Sequence, residues 1–259
     1  MSAKHLEVVG LGIVAGPGLA DAAVVDALLA AFFDKLGTWP TKATWLAPRP
    51  TTKPLTRPRM QALIADPGIS DVSFWGEPSS TSPRVDLHLR DREDAPDGER
   101  RWSSIVSLGR ETLPAVLELA GGLVDQIPLV SGGIGLYPTR AYAEQEGRGG
   151  GVIGEVDPLT DARLGEDQLC WRRTRTKLRR LYPVTVIGPA IWATLPPMPA
   201  FDPMPRITDL GACKLLTAWP TLCEPRDPDF LSANRELRRW LWPFTIQNPA
   251  DHVDNDPQP

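Results

Sequence analysis

Proline restricts this chain more than any other residue. There are 28 prolines among 259 residues, about twice the average usage of roughly 5%. Each lacks a backbone N–H and holds φ nearly fixed, so it is excluded from helix interiors and from the ladder of a central strand. The chain is therefore expected to consist of short elements with stiff connections. The prolines gather in connections at 40–58, 78–83 and 196–205, where rigidity lowers the entropy lost when a presented loop docks. With prolines at 40, 48, 50, 54 and 58, segment 38–59 reads as an extended surface connection without regular structure.

Composition narrows the class further. Hydrophobic residues make up 42% and charged residues 23% of the chain, a normal globular balance that excludes a disordered or low-complexity chain. The net charge of -4 argues against a general nucleic-acid binder, which carries a basic surplus. Cys170, Cys213 and Cys223 are odd in number and not at zinc-ligand spacing, which fits a reducing compartment and a cytoplasmic location. The apolar segment 8–15 only loosely imitates an export signal, because Glu7 and Gly10, Gly12 and Gly16 interrupt it. No apolar run approaches the roughly 20 residues of a membrane span.

Segment 6–14 reads as a buried strand, and 21–36 as the clearest helix, with apolar residues at 24, 25, 28, 29, 32, 33 and 36 and Gly37 just past its end. A short helix at 59–65 and strands at 71–75, 84–90 and 102–108 follow. In the middle strand Val85, Leu87 and Leu89 alternate with Asp86, His88 and Arg90, the pattern of a sheet with one wet face. Next come a helix at 112–124, a strand at 129–137 and a glycine-rich loop at 144–166. A basic helix is expected at 170–182, a strand at 184–195, a short helix at 209–216 and a final helix at 229–240. Residues 249–259 read as a disordered acidic tail. Strands followed by a helix recur in 1–127 and 128–248, so we expect a single α+β domain over 1–248, with antiparallel sheet, helices on one face and two similar halves.

Chemical motifs are weak. Gly10-x-Gly12-x-x-Ala15 resembles a dinucleotide fingerprint, but Pro17-Gly18 interrupts the helix such a motif opens, so the glycines read as strand positions. His5, His88 and His252 are too scattered for a metal site, and Ser131 is not on a Gly-x-Ser-x-Gly elbow. No cofactor is therefore expected. Asp86, His88 and Ser131 remain the residues that a cleft between the halves would have to collect for hydrolysis. The basic run Arg172, Arg173, Arg175, Lys177, Arg179 and Arg180 reads as a solvated helix face anchored by Trp171, Leu178 and Leu181. Asp91, Glu93, Asp94, Asp97 and Glu99 form an acidic loop suited to a basic partner. Trp39 and Trp45, flanked by prolines, are candidate exposed interface anchors.

Val130-Ser131-Gly132-Gly133-Ile134-Gly135-Leu136-Tyr137, the basic segment ending Leu181-Tyr182-Pro183, and Ile191-Trp192-Ala193-Thr194-Leu195 follow one another in an order that resembles the type VI secretion immunity family, the TsiV-like antidote proteins. Leu216-Thr217-Ala218-Trp219-Pro220 and the segment 230–243 are similar to the C-terminal portion of that family. The resemblance implies an immunity protein that binds and neutralises a toxic effector by stoichiometric protein–protein inhibition, catalysing nothing and needing no cofactor. Its implied partner is the cognate toxin, with a homodimer left open. The alternatives are a hydrolase with a carboxylate or Ser/Cys site between the halves, and a structural component of a secretion apparatus.

Overall fold

The computed structural model describes residues 8–15, 21–46, 49–77, 82–89, 100–107, 118, 121–122, 129–137, 178, 181–202, 204–220, 223 and 227–245. Among the described residues ten strands form one sheet: β1 (Val8–Ala15), β2 (Lys42–Leu46), β3 (Pro50–Pro54), β4 (Asp71–Trp75), β5 (Arg84–His88), β6 (Arg100–Ser107), β7 (Leu129–Tyr137), β8 (Val184–Ile187), β9 (Arg206–Leu210) and β10 (Cys213–Thr217). Their spatial order is β3-β2-β4-β5-β6-β1-β7-β8-β10-β9, and every neighbouring pair is antiparallel. The α-helices with described bounds are α1 (Ala22–Leu36), α2 (Arg57–Ala65), α3 (Pro189–Trp192), α4 (Pro228–Ala233) and α5 (Arg235–Leu241), and Glu118, Gly121 and Gly122 are also helical. This is the expected antiparallel α+β class.

α1 follows from local sequence alone. Asp21 caps it by accepting from the N–H of Ala23 at 2.8 Å and of Val24 at 3.4 Å, and Gly37 closes it at φ 63°, where a Cβ is penalised. Its stripe of Val25, Leu28, Leu29, Phe32 and Phe33 is buried. That stripe meets Val72, Phe74, Val85, Leu87 and Trp102 on one face of the sheet, with Met60, Leu63 and Ile64 of α2. The same core continues across β7, β8 and β10 through Ile134, Val184, Val186, Cys213 and Leu215.

Successive strand residues point to opposite faces, and the second face is divided. Over β8 and β10, Ile187 and Leu216 pack with Ile191 of α3, Phe230 of α4, and Leu237 and Leu241 of α5, forming a second core. Over β4 and β5 that face carries Asp71, Ser73, Asp86 and His88, none of them fully buried. The helices of the second half thus lie on the face opposite α1 and α2. At the centre, Gly10 pairs with Gly135 and Gly12 with Gly133, so the dinucleotide-like glycines are interior strand residues. The ring of Tyr182 lies against Gly133, where a Cβ would stand 2.1 Å from it. Thr185, opposite Gly133, fixes that approach by accepting from the Tyr182 N–H at 2.9 Å.

Several expected elements differ. Segment 38–59 contains the β2–β3 hairpin, which tolerates prolines because β3 is an edge strand. The strand expected at 184–195 stops at Ile187, where Gly188-Pro189 starts α3 with proline at its first turn. The helix expected at 209–216 is instead the β9–β10 hairpin, turned by Gly211 at φ 54°. The final helix is broken at Asn234 into α4 and α5. Leu178 is not helical: its N–H donates to the Phe244 carbonyl at 2.7 Å, and it bridges to Thr245. The rest of the basic run, the glycine-rich loop and the acidic tail lie outside the described residues.

Candidate functional site

The face of β4 and β5 turned away from α1 carries a row of polar side chains that are largely sheltered, with His88 11%, Arg84 16% and Asp86 22% exposed. Cross-strand register brings Asp71 opposite His88 and Ser73 opposite Asp86, which is what strict alternation over residues 84–88 selects. His88 Nδ1 donates to Asp71 Oδ1 at 2.7 Å, and Ser70 Oγ donates to the second oxygen at 2.7 Å. Arg84 Nε lies 2.9 Å from both oxygens of Asp86. Ser73 Oγ donates to Asp86 as well, and the Arg84 guanidinium stands 5.9 Å from the centre of the Trp75 ring. Alongside, Lys42 pairs with Glu77 at 3.0 Å.

Arg84 offsets the charge of Asp86, and Lys42 that of Glu77. The carboxylates of Asp71 and Asp86 are both engaged as acceptors, so neither is poised as a free base. Ser131 lies on the same face and in the same register row as His88, through Arg101 and Val14. It is nevertheless three strands away, about 14 Å at the usual strand spacing, and is buried. Asp86, His88 and Ser131 are therefore not collected into one cleft. Among the described residues, no cluster of three or more His, Cys, Asp or Glu side chains could hold a metal ion. Cys213 is buried in β10, at the far end of the sheet from His88.

Trp39 and Trp45, the candidate interface anchors, are half-buried and pack against the main core. Trp39 Nε1 donates to Asp34 at 2.8 Å, and its ring packs on Phe33 with centroids 6.0 Å apart. The Arg57 guanidinium covers Trp39 at 4.9 Å, and that of Arg59 covers Trp45 at 5.7 Å. Around these rings stand the Arg57 and Arg59 guanidiniums and the exposed Asp34 carboxylate. Asp91, Glu93, Asp94, Asp97 and Glu99 lie outside the described residues.

The charge around the tryptophans is legible in sequence once it is counted by segment. Between Asp34 and Asp66 stand Lys35, Lys42, Arg49, Lys53, Arg57 and Arg59, with no Asp or Glu, in a chain of net charge -4. Lys35, Lys42 and Arg57 pair with Glu118, Glu77 and Asp26. Arg59 donates instead to the Pro54 carbonyl at 3.3 Å. Arg49 and Lys53, both exposed, have no ion-pair partner among the described residues. The β2–β3 hairpin and α2 thus form a cationic, tryptophan-backed corner beside the polar face of β4 and β5.

No helix among the described residues is long and apolar enough to cross a membrane. No protein-family model matches the chain, and no curated protein matches it in sequence. Among solved structures, the fold is similar to that of the Pseudomonas aeruginosa T6SS protein PA0821, with a TM-score of 0.54 and 13% identity, over 92% of this chain and 73% of that one.

Proposed function

We propose that the protein is a type VI secretion immunity protein, which binds one cognate effector in the cytoplasm and blocks it stoichiometrically. The observation that carries the reading is the fold likeness to a T6SS protein over 92% of the chain. It is supported by the motifs around Gly133, Tyr182 and Trp192 that resemble the antidote family. Those residues are structural: Gly133 admits the Tyr182 ring, and Trp192 packs against the second core. The family-like motifs therefore support the scaffold, and effector recognition is assigned to the surface.

The cationic corner of β2, β3 and α2 presents Arg49 and Lys53 toward an acidic surface of the effector. Coexpression with the product of the neighbouring gene tests the reading: growth rescue and a 1:1 complex are expected, and failure of both overturns it. The double variant Arg49→Glu/Lys53→Glu is expected to weaken that complex about tenfold or more, through lost steering and pairing, with an unchanged melting temperature. Wild-type affinity in this variant would remove the corner from the interface.

A further inference from the structure

The two edges of the sheet differ in what their backbones offer. Backbone groups of an antiparallel strand point alternately to its two neighbours. The Leu89 N–H donates to the Ser70 carbonyl at 2.8 Å, so residues 71, 73 and 75 of β4 face β2. Their partners assign Lys42 and Thr44 to β4, and Ala43 and Trp45 to β3. Pro50, Thr52 and Pro54 are thereby left pointing outward. Two of these three lack an N–H, so β3 is closed to strand addition.

At the other edge, the Ala218 N–H donates to the Pro183 carbonyl at 2.9 Å. Lys214 and Leu216 therefore face β8, whereas Cys213, Leu215 and Thr217 face β9. Their partners Leu210, Thr208 and Arg206 are bonded inward, which leaves Ile207 and Asp209 with outward N–H and C=O groups. Neither is proline. Arg206, Thr208 and Asp209 are exposed, and β9 ends the sheet order among the described strands.

We infer that β9 pairs antiparallel with β9 of a second copy of this chain, about a two-fold axis through Thr208. That register places Ile207 opposite Asp209 of the other copy, twice, so all four outward pairs of groups are satisfied in two closed hydrogen-bonded rings. Moving the axis to Ile207 sets Pro205, which has no N–H, against Asp209. Moving it to Asp209 opposes two like charges, which is unfavourable. In the Thr208 register each Asp209 keeps its in-chain partner Lys214. The resulting dimer extends the sheet through both copies and leaves the β2–β3 corner free at each outer end. It goes beyond the effector-binding reading and does not depend on it.

Thr208 faces its own copy in a non-hydrogen-bonded pair, where Cα atoms lie about 4.5 Å apart, within disulfide range. Oxidised Thr208→Cys is expected to give a covalent dimer with a 208–208 link on non-reducing electrophoresis and peptide mapping, whereas Arg206→Cys, two residues from the axis, gives none. Wild-type protein is expected to show concentration-dependent doubling of mass by analytical ultracentrifugation. Thr208→Lys, which opposes two cations at an exposed site, is expected to abolish it with an unchanged melting temperature. A wild-type chain that stays monomeric, Thr208→Cys linking no more than Arg206→Cys, or Thr208→Lys remaining dimeric would each overturn the inference.

Discussion

Gly12 and Gly133 face each other across the central strand pair, yet they carry different constraints. A Cβ on Gly12 meets nothing within 4 Å, whereas one on Gly133 would enter the Tyr182 ring. Gly133→Ala is expected to cost about 1–3 kcal/mol through overpacking, lowering the melting temperature by roughly 2–4 °C per kcal/mol. Gly12→Ala should stay within about 0.5 kcal/mol. Thermal denaturation of the two variants, followed by circular dichroism, checks the contrast. The sequence shows glycines in both strands but not which of them admits a ring, because Tyr182 is 49 residues beyond Gly133 (182 - 133). The same holds for His88: its alternation marks a wet face, while its Asp71 partner comes from a different strand. Trp39 and Trp45 illustrate the limit from the other side. Their proline-flanked setting suggests exposure, but the ring of each is covered by an arginine from α2, a contact that composition does not reveal.

Elements with self-contained signals formed where expected. Asp21→Ala removes the acceptor for two N–H groups at the start of α1 and should cost about 1 kcal/mol, measurable by urea denaturation. Strands 71–75 and 129–137 have the bounds expected from their apolar runs. The β2–β3 hairpin was not legible, since proline density argues against strands unless the strand lies at an edge. Pro50→Ala/Pro54→Ala restores two outward N–H groups to β3. It is expected to raise self-association in light scattering while the chain remains folded; unchanged scattering would show that other features protect this edge. β9 and β10 were hidden by brevity: five residues each can satisfy a helical or an alternating pattern, and the positive φ of Gly211 decides for the turn.

The ten-stranded sheet joins two apolar cores that lie on opposite faces at its β8–β10 end. Because Ile134, Val184 and Val186 carry the first core across the β1–β7 junction, we expect residues from both cores to unfold together. Leu29→Ala in the first and Leu216→Ala in the second should each cost about 2–5 kcal/mol. Both should shift one common transition seen by near- and far-UV circular dichroism; two separable transitions would divide the chain into independent halves. By itself, the sequence determined the α+β class, the capped α1, the alternating β5 and the restriction to short elements. These depend on φ preferences, capping groups and periodicity acting over a few neighbouring residues. Only the tertiary structure decided which strands stand at the edges, which face each helix covers and which arginine covers which tryptophan. Those outcomes depend on pairing between distant segments, and a proline that a central strand excludes is accommodated where its missing N–H points to solvent.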